Sequence, residues 1–465
     1  MRRLPTACLL VLSACPGKHH DMSSSVTQAA CATPVRESVL PPEMVQDLGT
    51  LQVGDLVEFV VTAGTASFFI FSQEVDGSAV DNFSIVSGGK SFTIPNSVVP
   101  TNLRSPSGIL YYDDFASLPT DTSGLLAFDA GWRPVSEALP VPNTSGALRQ
   151  VEQAGEVEPG VWTFTVNDWA RECLSISECT GGSTSGKYRV HVVTRPGYVP
   201  SSGGGTLDLE VYLATDETGV LPNAVAAEGS SRVARWILAI SQFLGNAGIT
   251  VGQVSFHDVA PEVKSRYAPN GTVDLTNAGD PCSDLNQLFT AAVAPKRAVH
   301  LFLAEDLVEP SATNDGRHIA GVDGSIPGPS GFPGTVYGGA IVGLFGELDF
   351  GSCTGATDLA SCGPDFLGYV AAHEIGHWLG LYHPTEQDGA FFDPISDTAR
   401  CPCSSCGGTS CGTSNAYVLP SQCTGVSSSC GGGRNLMFWF LDENISTGEL
   451  SVDQSQIVRL NPAVQ

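Results

Sequence analysis

The stretch His373-Glu374-Ile375-Gly376-His377-Trp378-Leu379-Gly380-Leu381-Tyr382-His383 constrains this chain more than any other part of it. Histidines four residues apart lie on one helix face a turn apart, so His373 and His377 can offer two imidazoles to one metal ion. Pro364 is acceptable in a first turn, and a helix is expected from there through His377. Gly380 permits the positive φ that ends the helix, and the turned chain then swings in His383 as third ligand. Three protein ligands leave a fourth position open, which marks a catalytic rather than a structural zinc. Glu374, directly after the first ligand, is placed to act as general base on a water at that position and then as acid toward a leaving amine. Three histidines, a glutamate and a glycine at fixed offsets have a chance expectation on the order of 10^-5 in such a chain. The competing structural reading is a helix whose histidines hold zinc for stability alone, and Glu374 argues against it.

At 465 residues the chain exceeds what one core usually organises, so two folded domains and a leader are expected. Residues 1–15 have the regions of a secretory signal: Met1-Arg2-Arg3, the apolar Leu9-Leu10-Val11-Leu12, then Ser13-Ala14-Cys15. Leu12-Ser13-Ala14-Cys15 also resembles the bacterial lipobox, which makes Cys15 the candidate for lipidation and anchors the protein at the cell surface; ordinary cleavage nearby is the alternative. No later run of about 18 apolar residues offers a membrane span, so a membrane is reached only through that lipid. Export accounts for the cysteines: of 14, setting aside Cys8 and Cys15 leaves an even number for disulfides. Cys173 with Cys179 and Cys353 with Cys362 are near pairs. The connectivity of Cys401, Cys403, Cys406, Cys411, Cys423 and Cys430 is not legible, and a second zinc site at Cys403 and Cys406 is disfavoured in an exported chain.

A formal net charge of -26, from 48 acidic and 22 basic side chains, supplies no broad cationic footprint and excludes nucleic acid as partner. The same acidity suits solubility outside the cell or carboxylate loops for calcium, and composition does not separate the two.

The expected fold class is α+β. Residues 16–42 are polar and small, the composition of a flexible tether. Residues 43–200 read as a β-sandwich-like domain of short strands between Gly, Pro, Asn and Asp. Trp162, Phe164 and Val166 share one face, as do Tyr188, Val190 and Val192, which leaves His191 on the other, solvent side. Ser201-Ser202-Gly203-Gly204-Gly205 marks the boundary to a second domain at 205–465. There Leu207, Leu209, Val211 and Leu213 alternate as in a half-buried strand. Ser230 or Ser231 then caps a helix whose apolar face carries Val233, Trp236, Ile237, Ile240, Phe243 and Leu244. Further strands are expected at Ile249–Phe256, Val299–Leu303 and Ala340–Leu344, and His257, His300 and His318 are taken as structural.

The motif resembles the signature of the metzincin clan of zinc peptidases, HExxHxxGxxH followed by a methionine turn, and in particular the pappalysin family with its cytophagalysins and ulilysin-like enzymes. Asp393-Pro394-Ile395-Ser396-Asp397-Thr398 resembles that family's acidic loop, Asn435-Leu436-Met437 its methionine turn, and Leu450 to Pro462, with Gln454 and Arg459, its closing helix. The likeness runs from about Ile319 to Pro462. It implies a metzincin-type catalytic domain with a mixed sheet and an active-site helix, one catalytic Zn2+, and an endopeptidase acting on extracellular proteins or peptides. It also implies that Met437 floors the zinc site, that Gly338 to Val342 is the edge strand pairing with substrate, and that Asp393, Asp397 and Asp442 can hold Ca2+. Where the family usually has a tyrosine reaching the zinc or the oxyanion, this chain has Trp439, whose indole can donate one transition-state hydrogen bond but supplies no oxygen to the metal. Cys31 is either a disulfide partner or a thiol that blocks the open metal position. The alternative from another class is a surface-anchored binding or adhesion lipoprotein with an inactive zinc domain.

Overall fold

The structure, a computed structural model, describes residues 34–465 except 76–82, 88–89, 95–97, 113–137, 169–178, 182–185, 201, 215–222, 268–270, 276–281, 309–318, 345–361, 414–415, 426–429 and 442–446. The signal segment with Cys15, most of the tether with Cys31, and Cys173, His318, Cys353 and Asp442 lie outside the described residues.

Alternating apolar residues turn one face of each early strand inward. One antiparallel sheet joins β1 (Val45–Gln52), β11 (Lys187–Pro196), β3 (Thr65–Glu74) and β8 (Ala138–Val141) in that order. A second joins β2 (Leu56–Val61), β9 (Gly160–Asp168), β6 (Val98–Arg104) and β7 (Leu110–Tyr112). Between them lie Trp162, Phe164 and Val166 of β9, Tyr188, Val190 and Val192 of β11, and Phe59, Phe68 and Ile70, so the two sheets face each other across one apolar cluster. A small third sheet contains β10 (Cys179–Gly181), β4 (Phe83–Ser87) and β5 (Lys90–Ile94). Helix α1 (Ser145–Ala154), capped by Thr144 and stopped by Gly155 at φ 75°, lies beside the first two sheets and shares Ala147, Leu148 and Val151 with the clusters around it.

The outer face of β3 and β11 departs from expectation. All ten residues of β3 are buried. Phe332 covers the face that period two leaves outside, packing 4.5 Å from Phe71 and 4.9 Å from His191. His191 is therefore buried rather than wet, and desolvation holds its pKa below the ordinary imidazole value. Leu40 and Met44 join the same cluster. Residues 34–44, part of which was expected as loose tether, run as a strap: Arg36 donates to Gly334 O (3.0 Å) and Thr290 O (3.2 Å), and Val39 N to Gly331 O (2.8 Å). Leu40 and Met44 are the strap's buried apolar anchors.

The second half is built on a five-stranded sheet in the order β13 (Ile249–Asp258), β12 (Gly205–Leu213), β15 (Val299–Ala304), β18 (Ala340–Gly343) and β17 (Gly321–Asp323). All neighbours are parallel except β17 with β18, which makes the sheet mixed. Leu207, Leu209, Val211 and Leu213 face helices α3 (Ser231–Gly245) and α6 (Gly363–Trp378), while Tyr212 on the other face meets Phe302. Both faces of the strand are thus covered, as parallel strands require. Ser230 caps α3 as expected, accepting from Val233 N at 3.3 Å. The remaining helices are α2 (Ala224–Glu228), α4 (Pro261–Tyr267), α5 (Asp284–Phe289), α7 (Cys403–Cys406) and α8 (Val452–Leu460), and β14 (Thr272–Asp274) pairs with β16 (Asp306–Val308). Among the described residues no helix is long and apolar enough to cross a membrane.

Strand order corrects one expectation. Gly338 to Val342 cannot offer a free edge, because β18 is enclosed between β15 and β17; Gly321–Asp323 is the edge on that side.

Candidate metal centre

Every residue of α6 is buried except Asp365, which forms a bidentate pair with Arg235 of α3 at 2.7 and 2.6 Å. A helix packed on all sides has little freedom to rotate, and its two histidines inherit that rigidity. Pro364 stands in the first turn. Gly380 takes φ 113°, its N–H donates to His377 O (2.8 Å), and Leu381 N donates to Gly376 O (3.0 Å). The reversal brings His383 beside the helix.

The Nε2 atoms of His373 and His377 are 3.0 Å apart, those of His377 and His383 3.1 Å, and those of His383 and His373 3.3 Å. Each ring's other nitrogen faces an acceptor: His373 Nδ1 meets Leu436 O (2.7 Å), His377 Nδ1 meets Leu381 O (2.7 Å) and His383 Nδ1 meets Glu386 Oε2 (3.0 Å). Those oxygens only accept, so the hydrogens sit on Nδ1 and the three Nε2 lone pairs point at one another. Such an arrangement repels itself unless a cation stands among them. Tetrahedral zinc with Zn–N of about 2.0–2.1 Å places its nitrogens about 3.3–3.4 Å apart, close to what is seen. The donor set therefore fits a divalent metal, and it is the sole such cluster of His, Cys, Asp and Glu among the described residues. Burial, aided by His383, holds the His373 pKa down to about 3 against the pull of its bond to Leu436, so this ring is neutral and ready to ligate.

Glu374 is fully buried and lies across the edge strand: a Cβ built on Gly321 would stand 2.6 Å from its Oε1 and 2.9 Å from its Cδ. The glycine of β17 thus makes the room for the carboxylate, a role with no local signature in the sequence. Met437 is buried beneath α6, where a Cβ on Gly376 would overlap its sulfur. Its turn is held by Asn435, whose Oδ1 accepts from Met437 N (2.8 Å) and whose Nδ2 donates to Gln454 Oε1 of α8 (2.8 Å).

Trp439 is placed elsewhere than expected. Its N–H donates to Val418 O at 2.8 Å and its ring packs with Cys401, Cys403, Cys423, Phe438 and Phe440. The one donor it has is engaged, so no transition-state hydrogen bond comes from it. That cluster is a lobe knotted by Cys401–Cys423, Cys403–Cys411 and Cys406–Cys430, which rules out a second zinc at Cys403 and Cys406. Cys282 and Cys362 are also disulfide-bonded.

Of the three calcium candidates Asp442 lies outside the described residues, and Asp397 stands near enough to Asp393 to raise its pKa. Asp393 is buried, its Oδ1 accepts from Thr398 Oγ1 (2.6 Å) and Ile395 N (3.3 Å), and desolvation pushes its pKa up to about 8 despite those bonds. Asp397 Oδ2 accepts from Asp453 N at 3.0 Å. His300 is buried with its pKa lowered to about 4, mainly by desolvation, and His257 contacts Glu210; neither approaches the three-histidine cluster as a ligand. Glu386, which holds His383, was not foreseen from the sequence.

No family model matches the chain. A stretch of 34 residues, 7% of the chain, is 59% identical to the "Extracellular metalloprotease" of Colletotrichum graminicola (strain M1.001 / M2 / FGSC 10212), and the match spans 12% of that protein. The three-histidine cluster could hold a metal ion, and the disulfides are of the kind that persist in an oxidising compartment.

Proposed function

We propose that the chain is a zinc-dependent endopeptidase of metzincin type, similar to the pappalysins, exported and held at a bacterial surface through Cys15, with residues 43–200 and 205–465 as its two domains and extracellular proteins or peptides as substrates. The observation that carries this reading is the convergence of three Nε2 lone pairs within 3.3 Å, with Glu374 directly beside the first ligand. Zinc held there supplies Lewis acidity toward a peptide carbonyl and toward water.

The chain's own groups do the rest. His373, His377 and His383 bind through Nε2, and their Nδ1–H bonds keep the rings from turning. The Glu374 carboxylate takes a proton from the attacking water and returns it to the departing amine nitrogen, so one group serves as base and then acid. Gly321 leaves that carboxylate its place, and the short edge β17 beside it offers main-chain groups to an extended substrate. Burial of the whole set keeps bulk water from competing with these bonds.

The test is digestion of casein by the purified protein, beside Glu374→Gln and a metal-stripped sample restored with zinc. Cleavage should fall by at least about 10^3-fold in the variant while one equivalent of zinc stays bound, and should return with zinc in the stripped wild type. Zinc bound at one equivalent with no cleavage by the wild type would instead favour a binding lipoprotein.

A further inference from the structure

The three metal-ligand histidines are not held alike. His373 and His377 are fixed by main-chain carbonyls, of Leu436 and Leu381, whose positions follow from the methionine turn and the Gly380 reversal. His383 is fixed by a side chain, Glu386 Oε2 at 3.0 Å. A glutamate in a loop has rotamer freedom to lose before it can serve as a fixed acceptor, so its backbone must be restrained. Around Glu386 it is. Glu386 N donates to Phe391 O (3.0 Å) and Gly389 N to Glu386 O (2.9 Å), which closes a turn. The disulfide-bonded lobe grips that turn at three points flanking the glutamate: Cys401 N donates to Thr385 Oγ1 (2.9 Å), Val418 N to Gln387 O (3.0 Å) and Cys403 N to Gly389 O (3.2 Å). The same lobe reaches the methionine-turn segment through Trp439 Nε1 and Val418 O, 2.8 Å apart.

We propose that Glu386 is the positioning residue of the third metal ligand and that the lobe Cys401–Cys430 holds it against His383. The inference rests on the reading of the three histidines as a metal site. A carboxylate on Nδ1–H fixes the ring's orientation and tautomer and makes Nε2 a stronger donor, and losing such a partner typically weakens metal binding by about 10- to 100-fold. The three disulfides then have a role at the metal: they stiffen the segments that grip residues 385–389, in a cluster separate from the apolar one that packs α6.

The experiment is competition of full-length, metal-stripped protein with a chelator for Zn2+ and Co2+, comparing wild type with Glu386→Gln, Glu386→Ala and His383→Ala, and recording the visible absorption of each cobalt form. Glu386→Ala should bind about 10- to 100-fold more weakly and show an altered cobalt spectrum. Glu386→Gln, whose amide oxygen still accepts from Nδ1–H, should return most of the affinity and the wild-type spectrum. Melting of the metal-free proteins separates this from misfolding, because Gln and Ala variants that both fold must still differ in metal affinity. Wild-type affinity and spectrum in Glu386→Ala, or a Gln variant no better than the Ala one, would overturn the proposal. Equal affinities for wild type and His383→Ala are a different result, and would remove the metal-centre reading itself.

Discussion

A buried carboxyl is informative because it reports on its surroundings through its proton. Asp393 is held about four pH units above its ordinary value of 3.8, at about 8, chiefly by desolvation. Below about pH 4 folded and unfolded states are both protonated, and the group's contribution to stability is full. Between about 4 and 8 the unfolded chain has released its proton while the folded one keeps it, so stability falls as pH rises, and the contribution is lost above 8. Asp393→Asn, which has no proton to lose, should therefore gain on the wild type between pH 5 and pH 9, by on the order of 3 kcal/mol. Thermal melts of both proteins across that range check it; a constant gap means the carboxyl is not held neutral. At this scale the sequence was legible for the clustering of His373, His377 and His383, whose spacing is itself the signal. It was silent on Glu386 and misplaced Trp439, because a side chain's partner in another loop leaves no mark on its own neighbours in sequence.

Helix α6 and strand β17 meet at a glycine, and that contact sets where the Glu374 carboxylate can stand. In Gly321→Val any Cβ must displace the Glu374 side chain or the strand, since the built atom falls within 2.9 Å of three Glu374 atoms. Displacement of a reacting group by about 1 Å can lower kcat by about 100-fold, with zinc still bound at one equivalent. Steady-state kinetics with metal analysis tests this, and an unchanged kcat in a folded variant would show that the carboxylate does not depend on β17. The helices were legible because period and caps are local: Ser230, Pro364 and Gly380 stand where expected. The order of strands was not. Which of β17 and β18 forms the edge depends on how the chain between them folds back, and alternation along a strand carries no information about its neighbour.

Across the whole molecule the two halves share buried surface instead of merely being linked. Ala66 and Leu148 belong to the same cluster as α3 and α6, Ser67 bonds to Leu460 O, and Phe332 covers Phe71 and His191. Phe332→Ala should lower stability by about 3 kcal/mol, the low end for emptying a buried aromatic site. It should also separate one cooperative unfolding transition into two, because the seam is what couples the halves. Denaturant unfolding followed by far-ultraviolet and tryptophan signals checks both; coincident transitions at the wild-type midpoint would show that the seam contributes nothing.

The sequence by itself determined the parts of this protein that depend on short separations along the chain. Histidines at offsets of four and ten, a glutamate beside the first, a glycine before the third and alternating apolar strands each dictate their own local geometry, and the structure has them. Tertiary structure alone decided what those parts touch. His191 is dry because Phe332 arrives from the other half, burial raises the Asp393 pKa, and His383 Nδ1 meets Glu386 in a turn bonded to the disulfide-bonded lobe. The physical reason is common to all three. Local conformation follows from steric and hydrogen-bonding preferences of neighbouring residues, whereas burial is a property of the packed whole and takes a value only once distant segments have met.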